Sequence, residues 1–245
     1  MGRATRYFLI FLIVVIVGTV GFVTVYQDAG FSKIAFAPDR RRMPLTLVTL
    51  ERYVDQHQHE AHHTMWAHRS DIVDTYRSLT VFDGSAWLSS EGNDAEVWDH
   101  IIIEAFPTTA AFVNAVTGPE YASLAETYEV QGNAEYAQFV GHAALQETFD
   151  EPVVLVMSDA TKEHQRALLD TVTESIVPFD GQIGFAMPTE KIDGNSDRSV
   201  RYFALLEFAE PEQMMAWLAN TIRRSQFALL RRHVGNLSLV VATPS

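Results

Sequence analysis

The sequence predicts an α+β protein: one membrane-spanning helix followed by two tandem βαββαβ units. Three observations lead there. Tyr7 to Tyr26 is a run of twenty residues without a charge. Strand and helix patterns then follow in the order β-α-β-β-α-β. That order recurs at a spacing of roughly 100 residues, which marks a duplicated domain rather than a solenoid.

The uncharged run reads YFLIFLIVVIVGTVGFVTVY. At about 1.5 Å per residue it spans the ~30 Å hydrocarbon core, and it is longer than a signal-peptide core. No A-x-A site closes it, so a retained signal anchor is expected, with Tyr7 and Tyr26 at the two interfaces. Arg3 and Arg6 lie directly before the run, whereas Lys33 and Arg40 to Arg42 lie further out on the other side. The nearer charges place the N-terminus in the cytoplasm and the C-terminal part outside it. The expected order is therefore a tail (1–6), an anchor (7–26), a stem (27–43) and two units (44–145 and 150–245). Arg40 to Arg42 read as a solvated stem, with contact to anionic lipid as the other reading.

Composition bounds the rest. Hydrophobic residues make up 47% of the 245 positions, enough for a sizeable core and unlike a disordered chain. A net charge of −13 excludes nucleic acid as the expected partner, because a phosphate backbone calls for a basic face. With no cysteine, disulfides, thiolate metal sites and cysteine nucleophiles are all absent.

In the first unit, Leu45 to Leu50 reads as a buried strand, and residues 55–77 carry a helical stripe of Ala61, Met65, Ile72 and Tyr76. Ser78 to Ser89 and Val97 to Phe106 are strands, with Gly92-Asn93-Asp94 as the turn between them. A helix follows Thr108, with Tyr121, Leu124, Ala125 and Tyr128 at helical spacing and Gly132 as its stop. Tyr136 to Val140 closes the unit. In the second unit the strands are Val153 to Met157, Gln182 to Met187, Val200 to Phe208 and Leu237 to Ala242. One helix starts at Thr161. Another runs from Pro211 through Met214, Leu218, Ile222, Phe227, Leu230 and Val234 to Gly235-Asn236. Each unit has the ferredoxin-like order.

The stretch Val97 to Glu129 (VWDHIIIEAFPTTAAFVNAVTGPEYASLAETYE) resembles an uncharacterised branch of the dimeric α+β barrel superfamily. Those domains show a strand ending in Glu-Phe-Pro, a short helix, and a Pro-Glu-Tyr step into a longer one. Phe106, Pro107, Pro119, Glu120 and Tyr121 match, over about a seventh of the chain. The second unit keeps Leu206-Glu207-Phe208 without the Pro-Glu-Tyr step. The first has Ala105 where the family has Glu, so no role of that Glu carries over there. The resemblance implies that two units pair sheet to sheet, here within one chain, as a pseudo-dimeric barrel. Relatives of this kind include monooxygenases, isomerases and cyclases.

Five histidines (His57, His59, His62, His63 and His68) fall within twelve residues and contain an H-E-x-x-H match at His59 to His63. Such a pair can share one metal, with the Glu activating water. At 100° per residue, however, His59 and His63 lie roughly 120–160° from the Met65 stripe, on the solvent side, and no third ligand is evident. They are weak metal candidates, and no cofactor is predicted. His233, a conceivable haem ligand, is explained by the dipole of a helix C-terminus.

Alternation along the third strand of each unit supplies the site candidates. Ile101, Ile103 and Ala105 are expected under the helices, and Trp98, His100, Ile102, Glu104 and Phe106 toward the barrel lumen. The matching lumen face of the second unit is Val200, Tyr202, Ala204, Leu206 and Phe208. On this reading His100, Glu104 and Tyr202 are the catalytic groups, with His100 as general base and Glu104 as its orienter. Trp98, Phe106 and Phe208 form the apolar wall around a small ligand. Residues i and i+4 on a strand stand ~13 Å apart, so a ligand would lie between His100 and Glu104. The plainer reading is inter-sheet packing. The expected function is a membrane-tethered barrel that binds or transforms a small, largely apolar molecule. The alternative is a non-catalytic interaction or assembly subunit beside a membrane-protein partner.

Overall fold

The computed structural model describes residues 41–53, 76–90, 98–118, 135–145, 147–194 and 200–244. The strands are β1 (Leu45–Arg52), β2 (Leu79–Ser90), β3 (His100–Phe106), β4 (Glu135–Gly141), β5 (Val153–Ser158), β6 (Gly181–Asp193), β7 (Tyr202–Phe208) and β8 (Leu237–Pro244). The helices among the described residues are α1 (Thr109–Val116), α2 (Lys162–Ile176), α3 (Pro211–Ala219) and α4 (Thr221–Val234), with a 3-10 turn at Val177–Phe179. The strand positions expected from the sequence hold to within a few residues, except that β6 runs on to Asp193. The anchor, the expected helix over 55–77 apart from Tyr76 and Arg77 (which form a turn), the turn at 92–94, the stripe at 121–128 and His59 and His63 lie outside the described residues. Among the described residues no helix is long and apolar enough to cross a membrane.

The eight strands close into a barrel in the order β1-β3-β2-β8-β5-β7-β6-β4, and every neighbouring pair is antiparallel. The order β4-β1-β3-β2 over residues 45–141 is repeated as β8-β5-β7-β6 over 153–244. Two seams join these halves. In one, Gly84 to Ser90 of β2 pairs with Leu239 to Pro244 of β8. In the other, Gln138 to Gly141 of β4 pairs with Thr189 to Asp193 of β6. Closure leaves no free sheet edge.

The interior is packed with apolar side chains from all eight strands, among them Leu50, Phe82, Ile101, Ile103, Phe139, Leu155, Phe185, Phe203, Leu205 and Val240. Phe139 of β4 meets Phe203 of β7 edge to face, ring centres 5.3 Å apart. This reverses the expected inside and outside. Ile101, Ile103 and Ala105 point into the barrel. Phe106, Tyr202, Ala204, Leu206 and Phe208 pack outward against the helices. Trp98, just ahead of β3, does turn inward.

The outer layer of the second half centres on Trp217. It lies between Phe208 (5.6 Å) and Phe227 (5.9 Å) and donates to the Ser175 hydroxyl at 3.1 Å. The single helix expected from Pro211 is two helices. Asn220 is extended and caps α4 by accepting from the Arg223 N–H at 2.9 Å. The Arg223 guanidinium returns over Trp217 and donates to the carbonyls of Trp217 and Leu218, satisfying the C-terminus of α3. The break turns Ile222 outward, where it is 68% exposed rather than part of the buried stripe.

Candidate functional site at the barrel mouth

Neighbouring strands alternate in direction around the ring, so β1 and β5 run the same way and open at the same end of the barrel. Residues 142–152 connect the halves across that end. The backbone N–H of Phe149 donates to the Val81 carbonyl at 2.8 Å, and Ala143, Leu145 and Phe149 pack onto the interior cluster. The connection therefore acts as an apolar plug. Beside it lies a cavity of about 380 Å³, walled by Thr148 to Val153, Asp180, Gln182 and Glu207 to Ala209. That is the lower end of the range for small-ligand sites.

Glu207 is the polar centre of this mouth. It stands on β7 two residues beyond Leu205, on the barrel-facing side. Gln182, its cross-strand partner on β6, donates to the carboxylate at 3.5 Å. Space for the carboxylate comes from Gly184. A Cβ there would run into the Glu207 Oε1, and would also meet Leu205 Cδ2 at 2.9 Å and Phe149 Cε1 at 3.0 Å. Burial raises the Glu207 carboxyl above the ordinary carboxylate range, the Gln182 hydrogen bond opposes this, and the charge of Glu147 adds to the rise. The remaining ionisable groups on the wall are Asp150, Glu151 and Asp180, with no cation among them. Gln213 holds Asp180 by donating at 2.8 Å. Such a lining disfavours anions and suits neutral or cationic molecules carrying hydrogen-bond donors.

Gly184→Ala should remove the slot. We expect a loss of about 1–3 kcal/mol from overpacking, together with displacement of the Glu207 carboxylate. A thermal melt with an unchanged midpoint would show that the slot is not needed.

The residues expected to act together are not brought together. His100, Glu104 and Tyr202 are all buried, but they face outward from different halves. Tyr202 belongs to the helix-packed layer of the second half. Burial, then the Asp170 charge, raises its phenol above the usual range. Phe106 packs edge to face on Phe112, 5.2 Å away, and Phe208 on Trp217. His233 is exposed in the last turn of α4.

His100 instead joins a polar layer on the outward face of the first half. Its Nε2 is 2.6 Å from Asp83 Oδ1, and it pairs across the ladder with the fully buried Glu51. The Tyr53 hydroxyl donates to Glu51 at 2.8 Å, and its backbone N–H to Asp99 at 2.7 Å. Burial and the Glu51 charge raise the Tyr53 phenol far above its ordinary range. Asp83 thus brings a carboxylate within hydrogen-bond distance of His100.

No family model matches the sequence, and neither does any curated protein. The barrel is similar to the crystal structure of an anthrone oxidase-like protein, at 10% identity and a TM-score of 0.55, covering 83% of this chain and 92% of that one. The likeness is one of fold. It is also similar to a proposed monooxygenase from Lactobacillus acidophilus NCFM (14% identity, TM-score 0.49, 82% and 93% covered). A mutant chlorite dismutase from Candidatus Nitrospira defluvii is similar too (11% identity, TM-score 0.49, 82% and 92% covered). The closed eight-stranded barrel is the architecture that the sequence resemblance implied.

Glu207, Gln182 and the 142–152 plug were not among the residues the sequence pointed to. The available signals were an isolated glycine inside a strand, Gly184 in GQIGFAM, and the carboxylate kept in Leu206-Glu207-Phe208.

Proposed function

We propose that this chain is a small-molecule barrel protein held at a membrane by residues 7–26, and that it takes its ligand at the mouth beside Glu207. The ligand class is a neutral or cationic molecule with an apolar body, seated against Phe149 and Phe208, and a donor group directed at the carboxylates. The seating of Glu207 carries this reading: a half-buried acid fits a slot opened by a glycine, beside a cavity of ligand size. With its carboxyl raised above the ordinary carboxylate range, Glu207 can exchange a proton with a bound molecule. The monooxygenase-like fold is compatible with such chemistry, but fold alone does not assign a reaction. The duplicated order of strands supports one intramolecular barrel built from two ferredoxin-like units.

Native mass spectrometry of the detergent-extracted full-length protein tests the proposal. A retained small molecule is expected on the wild type and lost from Glu207→Gln. A molecule retained equally by both would move the site elsewhere, and co-purification of a stoichiometric protein alone would favour an assembly subunit. The contact between His100 and Asp83 favours a second reading, in which that pair is the acid–base site. Under it, Asp83→Asn rather than Glu207→Gln would abolish retention.

A further inference from the structure

Helix α4 reads Thr221-Ile-Arg-Arg-Ser-Gln-Phe-Ala-Leu-Leu-Arg-Arg-His-Val234, with four of the chain's eighteen basic residues and no acid. In a protein of net charge −13 this is a local reversal of sign. Its inner face (Arg223, Phe227 and Val234) is buried against the barrel. On the outer face Ile222 is 68% and Leu229 56% exposed, seven residues apart and so on one line of the helix. Ser225 and Arg232 are exposed beside that line, and Ala228 and Arg224 are exposed further round the same outer face. Arg224 and Arg232 form no ion pair among the described residues.

We infer that the outer face of α4 is a docking surface for an anionic phospholipid bilayer. The guanidinium groups of Arg232, beside the apolar line, and Arg224, on the far flank, suit phosphate, and Ile222 and Leu229 can enter the headgroup–acyl boundary. That combination is the signature of an interfacial helix. Lipid is favoured over a nucleic acid because the rest of the molecule is acidic and would repel a long polyanion beyond the helix. The inference rests on the membrane tether of the proposed function in one respect. Fourteen residues separate Tyr26 from Arg41. At no more than ~3.6 Å per residue they would keep the barrel within about 50 Å of the bilayer. A surface so held sees the membrane at a local concentration in the mM range, so a weak contact becomes an occupied one. Docking through α4 would give the barrel one fixed face toward the membrane.

The absence of cysteine makes the test direct. Ala228→Cys in the full-length chain places a single polarity-sensitive fluorophore on the outer face. The labelled protein is reconstituted into phosphatidylcholine vesicles with or without phosphatidylglycerol. A blue shift, with quenching by lipid-borne spin labels, is expected only with phosphatidylglycerol. It should disappear in the Arg224→Gln/Arg232→Gln variant and at about 0.5 M salt, where screening acts within ~4 Å. Equal emission in both vesicle types overturns the inference. So does a shift that grows with protein concentration in lipid-free detergent, which would make a second copy the occupant. Alkaline carbonate extraction reports the tether separately. Release into the carbonate wash with the label still shifting in anionic vesicles would sink the tether and support the surface; resistance without a shift would do the opposite.

Discussion

Cut in the connection and expressed apart, residues 44–145 and 150–245 should fail to give monomeric, cooperatively melting domains. The reason lies in the seams and the interior. Separation opens the outer edges of β2 and β4 on one half, and of β6 and β8 on the other, each a template for association. It also uncovers the barrel-facing side of each sheet: Ile101, Ile103 and Phe139 on one half, Leu155, Phe203 and Leu205 on the other. Burying each such side chain contributes about 1.5–3 kcal/mol. Losing a handful of them rivals the whole ~5–15 kcal/mol stability of a domain. Each half should therefore self-associate or aggregate, and the two should co-assemble when mixed. Light scattering and calorimetry on the pieces decide the matter. Two monomeric halves with sharp melts would mean that the barrel is not one cooperative unit.

The barrel was legible because its strands are short apolar runs in a repeated order. LTLVTL and VVLVM read as buried strands, their recurrence marks a duplicated unit, and closure is what the family resemblance implied. Burial on both sides also hid which side faced in. In HIIIEAF both alternating faces carry apolar residues, so alternation alone does not say whether His100 and Glu104 face the lumen or the helices. In the fold that lumen is filled by Ile101, Ile103 and Ala105, and the polar residues lie on the outward face. The break at Asn220 was hidden by an unbroken helical period through Ile222. An N-cap side chain and an arginine on α3's last carbonyls override that period. The mouth was hardest to see, because it is made by the connection between halves. Phe149 belongs to a segment that reads as a boundary, and it meets Glu207 only once β6 and β7 bring Gly184 and the carboxylate beneath it.

Glu207→Gln should separate function from stability in a pH-dependent way. If the carboxyl exchanges a proton with the ligand, the amide cannot, and any turnover that uses it should fall by about 10²–10⁴-fold. Stability should move the other way. Burial, with the Glu147 charge, raises the folded-state pKa of Glu207 above the ordinary carboxylate value near 4.5. Below that value both folded and unfolded chains hold the proton, and the group costs nothing. As pH rises through the folded-state pKa, the unfolded chain ionises more readily than the folded one, so the wild type loses stability. A neutral amide of the same shape avoids that loss and can keep the contact with Gln182. The variant should therefore melt above the wild type at pH 8, and the difference should close as pH falls toward 4. Melting curves across that range, taken beside ligand retention, make the test. A destabilisation at pH 8 would show that the ionised carboxylate is the favoured form in the fold, and Glu207 would then be a structural anion rather than a proton carrier.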